Sequence, residues 1–294
     1  MKTTIVCLFF VLGLSGATQA ACSSSETSDR FGNSILFYDA EVNTSSAALI
    51  LPPTGGENFT DKSVAASLCQ RGLSAYILNY KQDAADPADL DSHDRIANEV
   101  LQWVDQLLAS HPDTHFVILG ASLGSLYASI ANSLAIQPNH PLALRYPHLR
   151  QIDGAVLTVC GGSLAEILAT SQLQGVVDQR NARQGLLHFQ SAAEYQAILE
   201  KKIQIDPLAL AQVTERNRVL MFTSSTDIIV PAATQNNLWH ALGEPERETF
   251  GTNHVWTVAR TYLLNSGEIF SFAKKILNLK EDPPSSFESD GVGG

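Results

Sequence analysis

From about residue 34 onward, short apolar runs alternate with longer stretches in which apolar residues recur every three or four positions. SILFYDAEV, AALILPP, SAYILNY, HFVILG, QIDGAVLTVCGG and RVLMFTSS read as strands, with RETF as a short one near the end. DKSVAASLCQRG, SHDRIANEVLQWVDQLLASH, LGSLYASIANSLAI and ATQNNLWHALG read as helices, and a last helix is expected through Val255 to Leu277. In the second helix Ile96, Val100, Val104 and Leu107 share one face, with Ser92 as the expected N-cap and Pro112 as the stop. Most of the strands are apolar throughout rather than alternating, so both of their faces must be covered. That is the mark of a mostly parallel sheet between layers of helix. The pattern predicts one α/β domain over residues 34–278.

Three stretches depart from this rhythm. Residues 161–217 are helical in pattern and far longer than an ordinary crossover, so they are expected to cap one end of the sheet. Residues 279–294 are polar, acidic and rich in Pro and Gly, the composition of a disordered tail. At the other end, Lys2, an apolar core from Ile5 to Leu14 and small residues at Thr18 and Ala20 spell a signal peptide over 1–20, with 21–33 as a flexible lead-in.

The apolar core of that leader is too short to serve as a membrane-spanning helix, and no later segment approaches that length. An exported protein, periplasmic or secreted, is the expectation. Cys22, followed by three serines, offers an alternative: acylation of its thiol and a membrane-anchored lipoprotein, although Gln19 stands where such signals carry leucine. Without the leader, Cys22, Cys69 and Cys160 remain, an odd number that leaves at least one thiol unpaired or modified. Cys69 and Cys160 fall in core patterns and are expected to be buried and unreactive.

Composition narrows the function classes. The 294 residues are 45% hydrophobic and 17% charged, with a net charge of −11 and no Lys/Arg cluster beyond pairs such as Lys201-Lys202. Nucleic acid and anionic membrane surfaces are therefore excluded as charge-held partners.

The chemistry concentrates at HFVILGASLG. An apolar strand ends at Gly120-Ala121-Ser122-Leu123-Gly124 and a helix starts at once. A serine at such an apex needs small neighbours so that strand and helix can approach, and the turn lifts its hydroxyl clear of the sheet at a helix N-terminus. The competing reading is a glycine-rich turn whose serine merely caps the helix. A serine nucleophile needs a base, and the base needs an acid to orient it. Where an elbow of this kind is catalytic, the partners follow in the order acid, then histidine. Asp227, just past RVLMFTSS, lies on the same sheet edge as Ser122. Beyond it only His240 and His254 remain. His240 sits within a helical pattern, and His254 lies in a loop, FGTNHVWTV, from which it can reach back over the sheet edge. His93, His111, His115, His140, His148 and His188 precede the acid and form no metal-ligand spacing, so no metal or other cofactor is called for. An oxyanion would be held by the backbone N–H of Leu123 and by one from LPPTGGENF. Pro52 and Pro53 have no N–H, which leaves Thr54, with Gly55 next.

On GASLG at 120–124, TDIIVP at 226–231 and GTNH at 251–254, in that order, the chain resembles the α/β-hydrolase superfamily over about residues 34–278. The resemblance implies an eight-stranded, mostly parallel sheet, a Ser122–Asp227–His254 triad and a cap inserted after the sixth strand. Asp206-Pro207, a following strand and then D-x-x-V-P look like its secreted esterase and dienelactone-hydrolase-like branch. Many members open the oxyanion loop with His-Gly, where this chain has Pro52-Pro53. The implied activity is that of a serine hydrolase on a small carboxylic ester. A peptidase, an acyltransferase, or a non-catalytic binding protein on the same fold stand as alternatives.

Overall fold

A computed structural model describes residues 22–28, 33–41, 45–80 and 86–279. The expected leader over 1–20 and the polar tail beyond residue 279 lie outside the described residues. The chain runs through β1 (Ser23–Ser28), β2 (Ser34–Asp39), β3 (Ser46–Leu51), α1 (Phe59–Gln70), β4 (Ser74–Asn79) and α2 (Ser92–Ala109). It continues with β5 (His115–Ala121), α3 (Leu123–Ala135), α4 (Pro141–Arg145), a 3-10 turn, and β6 (Ile152–Thr158). A helical insertion follows, made of α5 (Leu164–Thr170), α6 (Gln174–Leu187), α7 (Ala192–Glu200), α8 (Pro207–Leu210) and a 3-10 turn at Val213–Asn217. The chain then returns through β7 (Val219–Ser224), α9 (Ala232–Ala241), β8 (Glu246–Phe250), α10 (His254–Leu264) and α11 (Ser266–Ile276).

The strands form one eight-stranded sheet in the order β1-β2-β4-β3-β5-β6-β7-β8. Only β2 runs against the rest: it pairs antiparallel with both β1 and β4, and the other pairs are parallel. The central strands are apolar at successive positions because each side chain has a helix layer to enter. In β3, Ala47, Leu49 and Leu51 join the core under α2, α3 and α9, while Ala48 and Ile50 join the one under α1, α10 and α11. The insertion carries a third, small core in which Leu168, Tyr195 and Leu199 meet Phe189, whose ring stacks on Tyr195 at 4.5 Å. Several ties fasten it to the sheet domain. Buried Arg183 donates to the carbonyls of Pro87 and Asp89, and the Asp94 carboxylate accepts from the N–H groups of Gln204 and Ile205.

Four local expectations change. Residues 23–28 are not a loose lead-in but strand β1, held to β2 by a six-pair register. Cys22 is bonded through its sulfur to Cys69, so in this structure it carries no free thiol, and Cys69 is a bridge half rather than a lone buried thiol. Ser92 is the first residue inside α2 rather than its cap, and its hydroxyl donates to the Asp89 carbonyl instead. The single helix expected at the end is two, broken at Asn265, which closes α10 and precedes α11.

Candidate active site

The turn from β5 to α3 places Ser122 at φ 53° and ψ −121°, a strained conformation for a residue with a side chain. Its N–H donates to the Thr158 carbonyl of β6 at 3.0 Å, so the strain is held from the neighbouring strand. Both flanking glycines are required by space. A Cβ on Gly120 would lie 2.4 Å from the Gly124 carbonyl oxygen, and one on Gly124 would lie 2.0 Å from that of Leu51. The elbow is thus jammed against the end of β3 and the loop that leaves it. Beneath it, Cys160 donates its thiol to the Ser125 carbonyl, and burial pushes that thiol up to about 12, which makes it inert.

Asp227 follows β7 and turns back under its own loop. Its Oδ1 accepts from the N–H groups of Ile229 at 2.8 Å and Val230 at 3.0 Å. His254 is the first residue of α10, which is capped by Asn253 through a bond from the Trp256 N–H. His254 Nδ1–H donates to Asp227 Oδ2 at 2.7 Å, and Nε2 lies 2.9 Å from Ser122 Oγ. All three residues are buried. His240 is elsewhere, on the exposed side of α9, paired with Glu244.

The loop after β3 folds into a turn closed by Gly56 N–H onto the Pro53 carbonyl at 3.1 Å, with Gly55 at φ 97°. That is the positive φ a type II turn requires at its third position, and it leaves Thr54 at the second. Asn79 fixes the far side of this loop by accepting from the Glu57 N–H. Pro53 and Thr54 line the same cavity as Ser122 and His254. The cavity measures about 300 Å³, and Leu173, Ile229, Val255, Val258 and Ala259 supply its apolar walls. Leu123 opens α3, so its N–H belongs to the first turn, where no helical carbonyl reaches. The sequence-predicted Ser122, Leu123, Thr54, Gly55, Asp227 and His254 all fall at this one sheet edge. Sequence reasoning missed the apolar walls of the cavity, Leu173 from the insertion among them, and Gln235 of α9, which donates to Asp227 Oδ2 at 3.0 Å. Among the described residues no cluster of His, Cys, Asp or Glu is placed to hold a metal ion.

The strand order, the elbow after β5 and the helical insertion after β6 define the α/β-hydrolase fold. No protein-family model and no curated protein sequence matches the chain. Solved structures do. The chain is similar to the Pyrococcus furiosus esterase Pf2001 at 11% identity and a TM-score of 0.55, over 88% of this chain and 93% of that one. It is similar to the esterase domain of a Rhodothermus marinus protein at 14% identity and a TM-score of 0.51, over 87% and 99%. It is also similar to the acylaminoacyl peptidase of Pyrococcus horikoshii at 12% identity and a TM-score of 0.59, over 90% of this chain but 43% of that one.

Proposed function

We propose that the protein is a serine hydrolase that cleaves a small, uncharged carboxylic ester through an acyl-enzyme intermediate. The observation that carries this reading is the continuous hydrogen-bonded chain from Ser122 Oγ through His254 to a buried Asp227. In the first half-reaction Ser122 Oγ attacks the ester carbon while His254 Nε2 takes its proton. The tetrahedral oxyanion is held by the N–H of Leu123 and by that of Thr54 or Gly55. As the intermediate collapses, the C–O bond to the alcohol breaks and His254 returns the proton to the leaving oxygen. Water repeats the sequence to free the acid. Asp227 orients the imidazole and supports its positive charge without taking the proton.

An ester is favoured over a charged peptide end because no Asp, Glu, Lys or Arg side chain lines the cavity among the described residues. The similar structures include esterases and a peptidase alike, so the choice rests on the cavity lining. Export belongs to the proposal too: the leader pattern and the Cys22–Cys69 bridge both suit an oxidising compartment. A fluorophosphonate probe is expected to label wild type at Ser122 and to leave Ser122→Ala unlabelled. On p-nitrophenyl esters, Ser122→Ala is expected to lose on the order of 10³-fold or more in kcat with an unchanged melting temperature. Wild-type turnover by folded Ser122→Ala would end the reading. Faster cleavage of a parallel peptide panel, or acyl transfer to added alcohol in place of hydrolysis, would redirect it.

A further inference from the structure

Gln235 is 1% exposed, although α9 is a short helix with several exposed polar residues. Its amide is tied at three points. Oε1 accepts from the Ser224 N–H at 3.0 Å, and Nε2 donates to the Val230 carbonyl at 2.7 Å and to Asp227 Oδ2 at 3.0 Å. Ser224 ends β7 and Val230 ends the turn that carries Asp227, so one side chain spans both ends of the acid's loop. The orientation of the amide follows from its partners. Ser224 offers a donor, which only the amide oxygen can meet, and the other two offer acceptors, which only the NH2 can meet.

An ionised carboxylate has about four acceptor positions. Here Oδ1 takes two backbone N–H groups from Asp227's own turn, and Oδ2 takes Gln235 and His254. The turn's bonds fix where the carboxylate sits. Gln235 fills one side of Oδ2, which leaves the other side for the Nδ1–H of His254. That in turn holds Nε2 without its proton, facing Ser122. We infer that Gln235 is a positioning residue of the triad, acting through Asp227, and that it sets the geometry of the Asp227–His254 hydrogen bond. The inference rests on the hydrolase reading for its kinetic consequences, and on the observed bonds alone for its structural one.

Two variants and two readouts test it. Gln235→Leu keeps the bulk of the side chain and deletes every bond. It is expected to lower kcat about 10- to 100-fold, the size of losing one hydrogen bond to a charged group, with KM little changed. Gln235→Glu is isosteric and carries the test should the leucine variant not fold. While its carboxyl is protonated it can still donate to Asp227. Once ionised it opposes Asp227, the titratable group against it, with His254 beyond. Its kcat profile is expected to gain a falling alkaline limb that wild type lacks, reversible on re-acidification. Independently of turnover, the low-field NMR resonance of the His254 Nδ1 proton is expected to shift or broaden in both variants. A folded Gln235→Leu with kcat within twofold of wild type, or an unmoved His254 resonance, overturns the inference. If the resonance moves as expected but wild type neither hydrolyses esters nor takes the probe, the hydrolase reading fails and the positioning geometry stands.

Discussion

Asp61 lies fully buried within the first turn of α1, where its Oδ2 accepts from the Asn58 N–H at 2.9 Å and its Oδ1 has no hydrogen-bond partner among the described residues. Burial pushes its carboxyl up to about 7. In the unfolded chain the same group ionises near 3.9. Between roughly pH 4 and 7 the unfolded state therefore releases a proton that the folded state keeps, and stability falls as pH rises through that window and levels off above it. The contribution amounts to about 4 kcal/mol. Asp61→Asn keeps the acceptor for Asn58 and removes the titration. Urea unfolding at pH 4, 5.5 and 7.5 is expected to show the variant gaining on wild type at each step upward. A constant difference across the three would show that Asp61 titrates as an ordinary surface acid. Residues of this kind are hard to see in a sequence, since an aspartate near a helix start reads as a solvated cap. Gln235 was invisible for the same reason: a glutamine in TQNNLWHA reads as surface, and its burial arises only where β7, the Asp227 loop and α9 meet. Ser122 and its glycines were legible because local sterics alone demand them. Asp227 and His254 were legible from strand-end position and order along the chain. Thr54 emerged by elimination, since Pro52 and Pro53 have no N–H to offer.

At the scale of elements, the insertion between β6 and β7 reaches the cavity through Leu173, in the link between α5 and α6. The adjacent Gln172 N–H donates to the Ile228 carbonyl at 2.9 Å, which ties that link to the acid's own loop. Leu173 thereby forms one wall of the cavity beside Ser122 and His254. Each methylene gained or lost against an apolar wall is worth about 0.8 kcal/mol, roughly fourfold in kcat/KM. On a ladder of p-nitrophenyl esters, Leu173→Ala is expected to move the optimum toward longer chains and Leu173→Trp toward acetate. A ladder unchanged in both variants would place the substrate's chain against another wall. The sheet's central strands were readable because burial on two faces makes them apolar at successive positions, with polar residues mostly near their ends. The insertion was readable as helical but not in detail, because its short helices pack mainly on one another and carry weak periodicity. Strand β1 escaped notice for a plainer reason. SSSETS has no apolar residue, all six of its residues are exposed, and only the edge of β2 makes it a strand.

For the molecule as a whole, the Cys22–Cys69 bridge joins that edge strand to α1 across a sequence separation of 47. In the chain-entropy picture a loop of this size is worth about 4 kcal/mol. Pairing between two distant cysteines was not deducible from a set of three, because any of three pairings was open to the sequence. With reductant, the melting temperature is expected to fall while the central sheet still forms, and an unchanged melting temperature would show the bridge to be idle. A second effect concerns neighbours rather than folding. β1 is a polar strip laid along β2, whose Ile35, Leu36, Phe37 and Tyr38 are only half-buried even when it is covered. With its tether cut, that strip is free to peel, and β2 becomes a bare strand edge able to recruit the same edge of another copy. Light scattering of reduced protein is expected to rise with concentration while oxidised protein stays monodisperse. Colloidal behaviour would then answer to the redox state of the surroundings, and a chain retained in a reducing compartment would precipitate before it could act there.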